Sequence, residues 1–208
     1  MRGRFISLEG GEGAGKSTQV RRLAEALGAR GIETLVTREP GGSEGAEAIR
    51  SLLMQGSVTR WSPHSEALLF AAARADHVEK QIQPALGAGT WVICDRFIDS
   101  SRAYQGVAGG IDDAAVLALH GFGSRGLLPD RTFILEVPLD QGRARADDRD
   151  GAAADRFAAR GDDFHGQVAA AFRGYAEHEP DRMRLIDASG SPEAVTEALL
   201  AGLADLLP

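Results

Sequence analysis

Residues 10–18 read GGEGAGKST (Gly10, Gly11, Glu12, Gly13, Ala14, Gly15, Lys16, Ser17, Thr18), a G-x-x-x-x-G-K-[ST] pattern. Glycines at this spacing let successive backbone N–H groups turn toward one anion, and a helix beginning there adds the positive end of its dipole. In that setting Lys16 reaches the β- and γ-phosphates of a nucleotide, and the Ser17 hydroxyl ligates Mg²⁺. A second charged pair, Asp95-Arg96, follows the apolar run 91–94. A carboxylate at that end of a strand is placed to act on the metal, usually through its water, although a plain capping role also fits Asp95. A third group lies between 64 and 86, where Ala67, Phe70, Arg74 and His77 fall at i, i+3, i+7 and i+10. One helix face there offers a ring with a guanidinium a turn later. That pairing suits a nucleobase, with Phe70 stacking and Arg74 donating to an acceptor edge, but taken alone it equally describes a core ring and a surface arginine.

These groups need elements that bring them to one edge. Short apolar runs at 4–9, 32–37, 91–95, 132–137 and 183–187 are two-sided and separated by helical patterns. They predict an α/β fold in three layers, with a five-stranded parallel sheet flanked by helices. The phosphate loop follows the first run, and the first crossover helix carries Val20, Leu23, Ala24 and Leu27 at helical spacing. The last helix begins Ser191-Pro192-Glu193, an N-cap followed by proline, and places Val195, Leu199 and Leu206 on one stripe. The length of 208 residues predicts one domain, 1–208. Segment 141–163, rich in Arg, Asp, Ala and Gly with almost no large apolar side chain, reads as a mobile surface lid.

Composition removes several function classes. No segment approaches the roughly 20 apolar residues of a membrane span. The amino terminus reaches glycine and acid too early for a signal peptide, so a cytoplasmic protein without membrane partners is expected. A net charge of −7 argues against a general nucleic-acid binder. The single cysteine, Cys94, sits inside an apolar run and reads as a small core hydrophobe. The chain contains no asparagine, which excludes the N-K-x-D guanine-reading motif and most of the case for a GTPase switch, and favours ATP as the donor.

TREPGG at 37–42 follows a strand and so lies at the same sheet edge. Together with EGGEGAGKST, the Phe70/Arg74 helix, CDRFIDSS and AYQG, it resembles the thymidylate kinase family, in order over nearly the whole chain. The resemblance implies Mg·ATP-dependent phosphorylation of dTMP to dTDP on a P-loop nucleoside monophosphate kinase fold, usually as a homodimer. It implies that Arg50 and Arg96 hold the dTMP phosphate, Phe70 stacks on thymine, and Arg74 and Gln105 read the base edge with Ser101 close by. It further implies that Glu12 meets the sugar 3′-OH, Tyr104 presses against C2′, and Glu39 and Pro40 shape the wall. The family carries a catalytic arginine either in the phosphate loop or on the lid; none of Gly11, Glu12, Gly13 and Ala14 is basic, so the resemblance implies that the lid supplies it from among Arg143, Arg145, Arg149, Arg156 and Arg160, with Arg149 and Arg156 expected at the phosphate and Arg143 beside adenine. No general base is assigned, since a phosphate acceptor needs little deprotonation. The lid departs from the family pattern: in DRFAARGDD, Ala158 and Arg160 stand where related sequences carry acidic residues. A kinase for another small acceptor, or a non-catalytic ATP-binding switch, remains open at this point.

Overall fold

The structure is a computed structural model that describes residues 2–150, 156–157 and 159–208, without the side chains of 147–150. Among the described residues the sheet has five strands, β1 (Phe5–Gly10), β2 (Thr34–Arg38), β3 (Trp91–Asp95), β4 (Arg131–Glu136) and β5 (Met183–Asp187), all parallel, in the order β2-β3-β1-β4-β5. Each lies within two or three residues of its expected run, because a strand covered on both faces must be apolar on both. Every residue of β1 is buried.

Helices follow each strand: α1 (Lys16–Gly28), α2 (Glu44–Met54), α3 (Pro63–His77), α4 (Gln83–Ala88), α5 (Ile98–Ser101), α6 (Asp113–Ser124), α7 (Leu139–Asp150), α8 (Asp162–His178) and α9 (Pro192–Ala201). One core joins α1 and α9 to the sheet through Leu8, Leu23, Leu27, Phe133 and Leu199, and a second packs Phe5, Ile82 and Phe97 on the other face. The carboxyl ends of β1, β2 and β3 therefore open on one side, where α1, α2, α3 and α5 begin or end.

Three expectations are corrected. The helix expected over 64–86 is α3, a π-helical turn at Val78–Ile82 and then α4. Leu206 is not on the last helix, which ends at Ala201; Gly202 then packs so closely on the Phe133 ring that a side chain would collide. The lid is not uniformly a surface segment: 141–150 belongs to α7, and Arg156 and Phe157 are buried at 3% and 6% exposure. Phe157 is the one large apolar residue between 141 and 163, and burying it is worth about 2 kcal/mol.

Candidate active site

The phosphate loop needs glycine for two separate reasons. Gly13 and Gly15 hold φ of 66° and 86°, a left-handed backbone, and a Cβ on Gly13 would strike the carbonyl oxygen of Gly142 in α7. The loop thus rests directly on the lid helix. Lys16 at the head of α1 curls back, its Nζ donating to the carbonyls of Gly10 at 3.1 Å and Gly11 at 2.6 Å, while Ala14 is buried beneath. Ser17 Oγ donates to Asp95 Oδ2 at 2.6 Å, so the two expected Mg²⁺ ligands already meet. Both are hard oxygen donors, as Mg²⁺ prefers. Among the described residues no three His, Cys, Asp or Glu side chains converge on a metal position.

Burial pushes the Lys16 ammonium down to about 7, with Arg96 adding to the effect and Asp95, Glu9 and Glu12 opposing it. A bound triphosphate favours the charged form. Below about pH 7 Lys16 is already protonated, and above it the group must gain a proton when the anion arrives. Mg·ATP binding is therefore expected to take up about one proton near pH 8 and almost none near pH 6. The dependence of the calorimetric binding heat on buffer ionisation enthalpy measures this, and Lys16→Met should abolish it.

Asp95 closes β3, and Arg96 then turns with φ 69°, an uncommon conformation for a side chain of its size. Glu9 holds that turn: the Phe97 N–H donates to Glu9 Oε1 at 2.7 Å and Ser100 Oγ donates to Oε2 at 2.5 Å. Burial, with Asp99 close by, pushes the Glu9 carboxyl up to about 8. Arg96 in turn donates from Nη1 to Gly10 O and to Ser100 Oγ, each at 3.1 Å, and its guanidinium lies 5.0 Å above the Tyr104 ring. Glu9 and Ser100 were not singled out from sequence; an acid at the end of a fully buried strand was the available signal.

The Glu39–Pro40 peptide is cis, and Arg50 on α2 donates to Pro40 O at 2.7 Å. Arg74 on α3 is buried; its Nε donates to Glu39 Oε2 at 2.7 Å and its Nη2 donates to Ser101 Oγ at 2.8 Å. His77 meets the other Glu39 oxygen at 3.2 Å. Arg74 Nη1 keeps no hydrogen-bond partner among the described residues. A π-helical turn, Arg102–Val107, carries Tyr104 and Gln105, a device often found where side chains must be re-aimed.

One cavity of about 500 Å³ joins these parts. The phosphate loop lines it with Glu12, Gly13, Gly15, Lys16, Ser17 and Thr18, beside Asp95. Arg50, Arg96, Glu39 and Pro40 also line it, and Arg96 links Gly10 of the loop to the Tyr104 ring. Phe70, Arg74, Ser101, Tyr104 and Gln105 complete the lining, together with Met54 and Phe157, which sequence reasoning missed. Phe157 stands edge-on to Phe70 at 5.6 Å and to Tyr104 at 6.4 Å. Its signal was the isolated aromatic in an otherwise apolar-poor lid.

Among the lid arginines, Arg156 has partners other than the expected phosphate. Arg156 is buried against Glu66 on α3, donates to Leu53 O at 3.1 Å and lies 4.8 Å over the Phe157 ring. The reason is that a buried carboxylate demands a cationic partner, and among the described residues Arg156 and Arg160 supply it to Glu66. Arg143 pairs with Asp162 and lines a separate cavity of about 960 Å³ beside β4 and α8. It is Arg145 that reaches the loop after β5, donating to Ala188 O at 3.2 Å and Ser189 O at 3.4 Å. The Arg149 side chain, like Ala158, lies outside the described residues.

A parallel sheet with a phosphate loop after β1, facing two further arginines across one cleft, defines a P-loop phosphotransferase acting on a phosphorylated acceptor. The sequence model of the family described as Thymidylate kinase matches residues 8–199. The chain is 57% identical over 208 residues to a thymidylate kinase of Rhizorhabdus wittichii, covering all of both chains. It is 52% identical over 197 residues to one of Caulobacter vibrioides, covering 95% of this chain and 94% of the relative. A solved thymidylate kinase structure from Ehrlichia chaffeensis superposes with a TM-score of 0.77 at 32% identity, covering 98% of this chain and all of the other. The chain belongs to the thymidylate kinase family.

Proposed function

We infer that the protein transfers the γ-phosphoryl group of Mg·ATP to dTMP, giving dTDP and ADP. The observation that carries this is one cavity lined by Lys16, Arg50, Arg96 and Phe70, in which contacts run from Lys16 through Gly10 to Arg96, and from Arg96 through Tyr104 and Phe157 to Phe70. A nucleoside monophosphate fits that order, with its phosphate at the two guanidiniums and its base on the ring. An oxygen of the dTMP phosphate attacks the γ-phosphorus in line while the bond to the β–γ bridging oxygen breaks, and ADP leaves. Lys16 and Arg96 hold the approaching groups and balance the spread of negative charge. Ser17 and Asp95 would hold Mg²⁺, which would neutralise charge on the donor phosphates.

At the acceptor end Phe70 stacks on thymine, Arg74 donates to its C4 carbonyl through Nη1, and Gln105 and Ser101 complete the edge. Tyr104 presses on C2′ of the sugar and Glu12 meets its 3′-OH. Arg149 of the lid is the remaining candidate for the transferring phosphoryl group, and a closing lid would keep water out. The single buried thiol, Cys94, suits a reducing compartment, so a cytoplasmic location is part of this reading. ADP release measured with dTMP, dUMP, dCMP, dGMP and AMP at saturating Mg·ATP tests the acceptor. Turnover with dTMP no better than with AMP would sink the assignment.

A homodimer belongs to the same reading. α3 and α6 pack side by side through Gly123 and Ala75, and beside that seam Phe122 is 93% exposed, with Leu68 and Leu117 also left outside. Exposed apolar side chains on adjacent helices favour a partner surface. Phe122→Glu is expected to weaken self-association at least about 100-fold, as seen by sedimentation equilibrium. An unchanged dimer would place the interface elsewhere.

A further inference from the structure

Glu66 lies on α3 one turn before Phe70 and two before Arg74, and is 3% exposed. Its two oxygens collect donors from two distant parts of the chain. Gln105 Nε2 donates to Oε1 at 3.0 Å, Arg156 donates to Oε2, and Arg160 Nη2 donates to Oε1 at 3.1 Å and Oε2 at 3.0 Å. Arg160 also lies over the Phe157 and Phe164 rings, at 5.1 and 4.4 Å. The carboxylate is thus pinned from the lid side as well as from the α5 side.

The consequence for Gln105 is a fixed polarity. A carboxylate accepts, so the glutamine NH₂ must face Glu66 and the amide oxygen must face away. Gln105 is 2% exposed and lines the cavity, and its Oε1 has no hydrogen-bond partner among the described residues. Beside it Arg74, held by Glu39, offers a donor. The floor on which a base would lie is edged by one acceptor and one donor, each oriented by a buried carboxylate.

We propose that Glu66 is a positioning residue that sets acceptor-base specificity by locking Gln105 as a hydrogen-bond acceptor toward a ring N–H. The proposal rests on the reading of this cavity as the dTMP site. Thymine presents N3–H beside a carbonyl at C4, which matches acceptor and donor in turn. Cytosine presents a bare N3 beside an amino group, so acceptor meets acceptor and donor meets donor. A buried site built for particular hydrogen bonds rejects the reversed pattern strongly, because its own groups are left unpaired.

The test is the ratio of kcat/KM for dTMP over dCMP in the unaltered protein, Glu66→Gln, Glu66→Asp and Gln105→Ala, with KM for ATP alongside. In Glu66→Gln the new amide can meet Gln105 in either sense, so the ratio is expected to fall at least about tenfold while KM for ATP stays within about threefold. Glu66→Asp should keep most of the discrimination. Equal losses on both acceptors with the ratio unchanged would overturn the proposal and leave Glu66 as a brace for α3. If Gln105→Ala changes the ratio and neither Glu66 variant does, the inference fails while the acceptor reading survives. Equal use of dCMP and dTMP by the unaltered protein would instead defeat the acceptor reading. Because Glu66→Gln leaves two arginines facing a neutral group, the double variant with Arg160→Ala is measured beside it. The exchange of the Gln105 side-chain NH₂ in the unaltered protein gives a readout that needs no variant to fold: slowed exchange supports the lock, and bulk-like exchange overturns it.

Discussion

Replacing Arg96 by alanine is expected to lower kcat/KM for dTMP by about 10³-fold, or about 4 kcal/mol of transition-state stabilisation. The magnitude follows from how firmly the side chain is held. Its backbone N–H donates to Leu8 O at 2.9 Å, Glu9 clamps the turn that follows, and its Nη1 is tied to Gly10 and Ser100. Burial opposes its charge, but Tyr104, Asp95, Glu9 and Glu12 together hold it cationic. A planar guanidinium fixed in this way loses little freedom on meeting a phosphate, and alanine offers nothing in its place. Arg96→Lys keeps the charge without the fork and should lose about 10²-fold. A second readout comes from Lys16, whose pKa Arg96 helps to lower. In Arg96→Ala the onset of proton uptake on Mg·ATP binding should move to higher pH. Losses under about tenfold, with no movement of that onset, would show that Arg96 does not share a site with the donor phosphates.

Much of this arrangement is legible in the sequence because its signals are local. Strand β3 and the Asp95-Arg96 step can be read from four apolar residues followed by two charges, and the phosphate loop from glycines whose φ only glycine adopts readily. What could not be read depends on distance. Glu39, expected as a wall residue, is buried as the partner of Arg74 and His77, thirty-five and thirty-eight residues away in the chain. Arg156 is expected at the phosphate because none of the loop positions Gly11, Glu12, Gly13 and Ala14 is basic, yet it pairs with Glu66, ninety residues earlier. Nothing in the local pattern of α3 marks Glu66 as buried, since the helix has acids and small residues on several faces. Arg160 is accounted for in the same place: this cation also meets Glu66 and lies over two phenylalanine rings.

Arg74→Ala is expected to reduce kcat/KM for dTMP by about 10²- to 10³-fold while leaving Mg·ATP affinity within about threefold. The side chain touches no part of the phosphate loop; its contacts are Glu39, Ser101 and the Phe97 carbonyl, and it lies 5.3 Å from the Phe97 ring. Two effects must be separated. Removing one partner of a buried ion pair leaves Glu39 facing only His77, and such a loss costs about 3–5 kcal/mol of stability. That cost lowers the melting temperature and acts on every activity alike. Loss of the donor to the base acts on dTMP alone, chiefly through KM. Assays well below the variant's melting temperature, with ATP binding followed by calorimetry on the same sample, keep the two apart. In a non-catalytic ATP-binding switch the substitution would destabilise the chain without any acceptor-dependent change. If Arg74→Ala therefore melts early but turns over dTMP at nearly the original kcat/KM, the base is read elsewhere and Arg74 serves only to hold Glu39 in place.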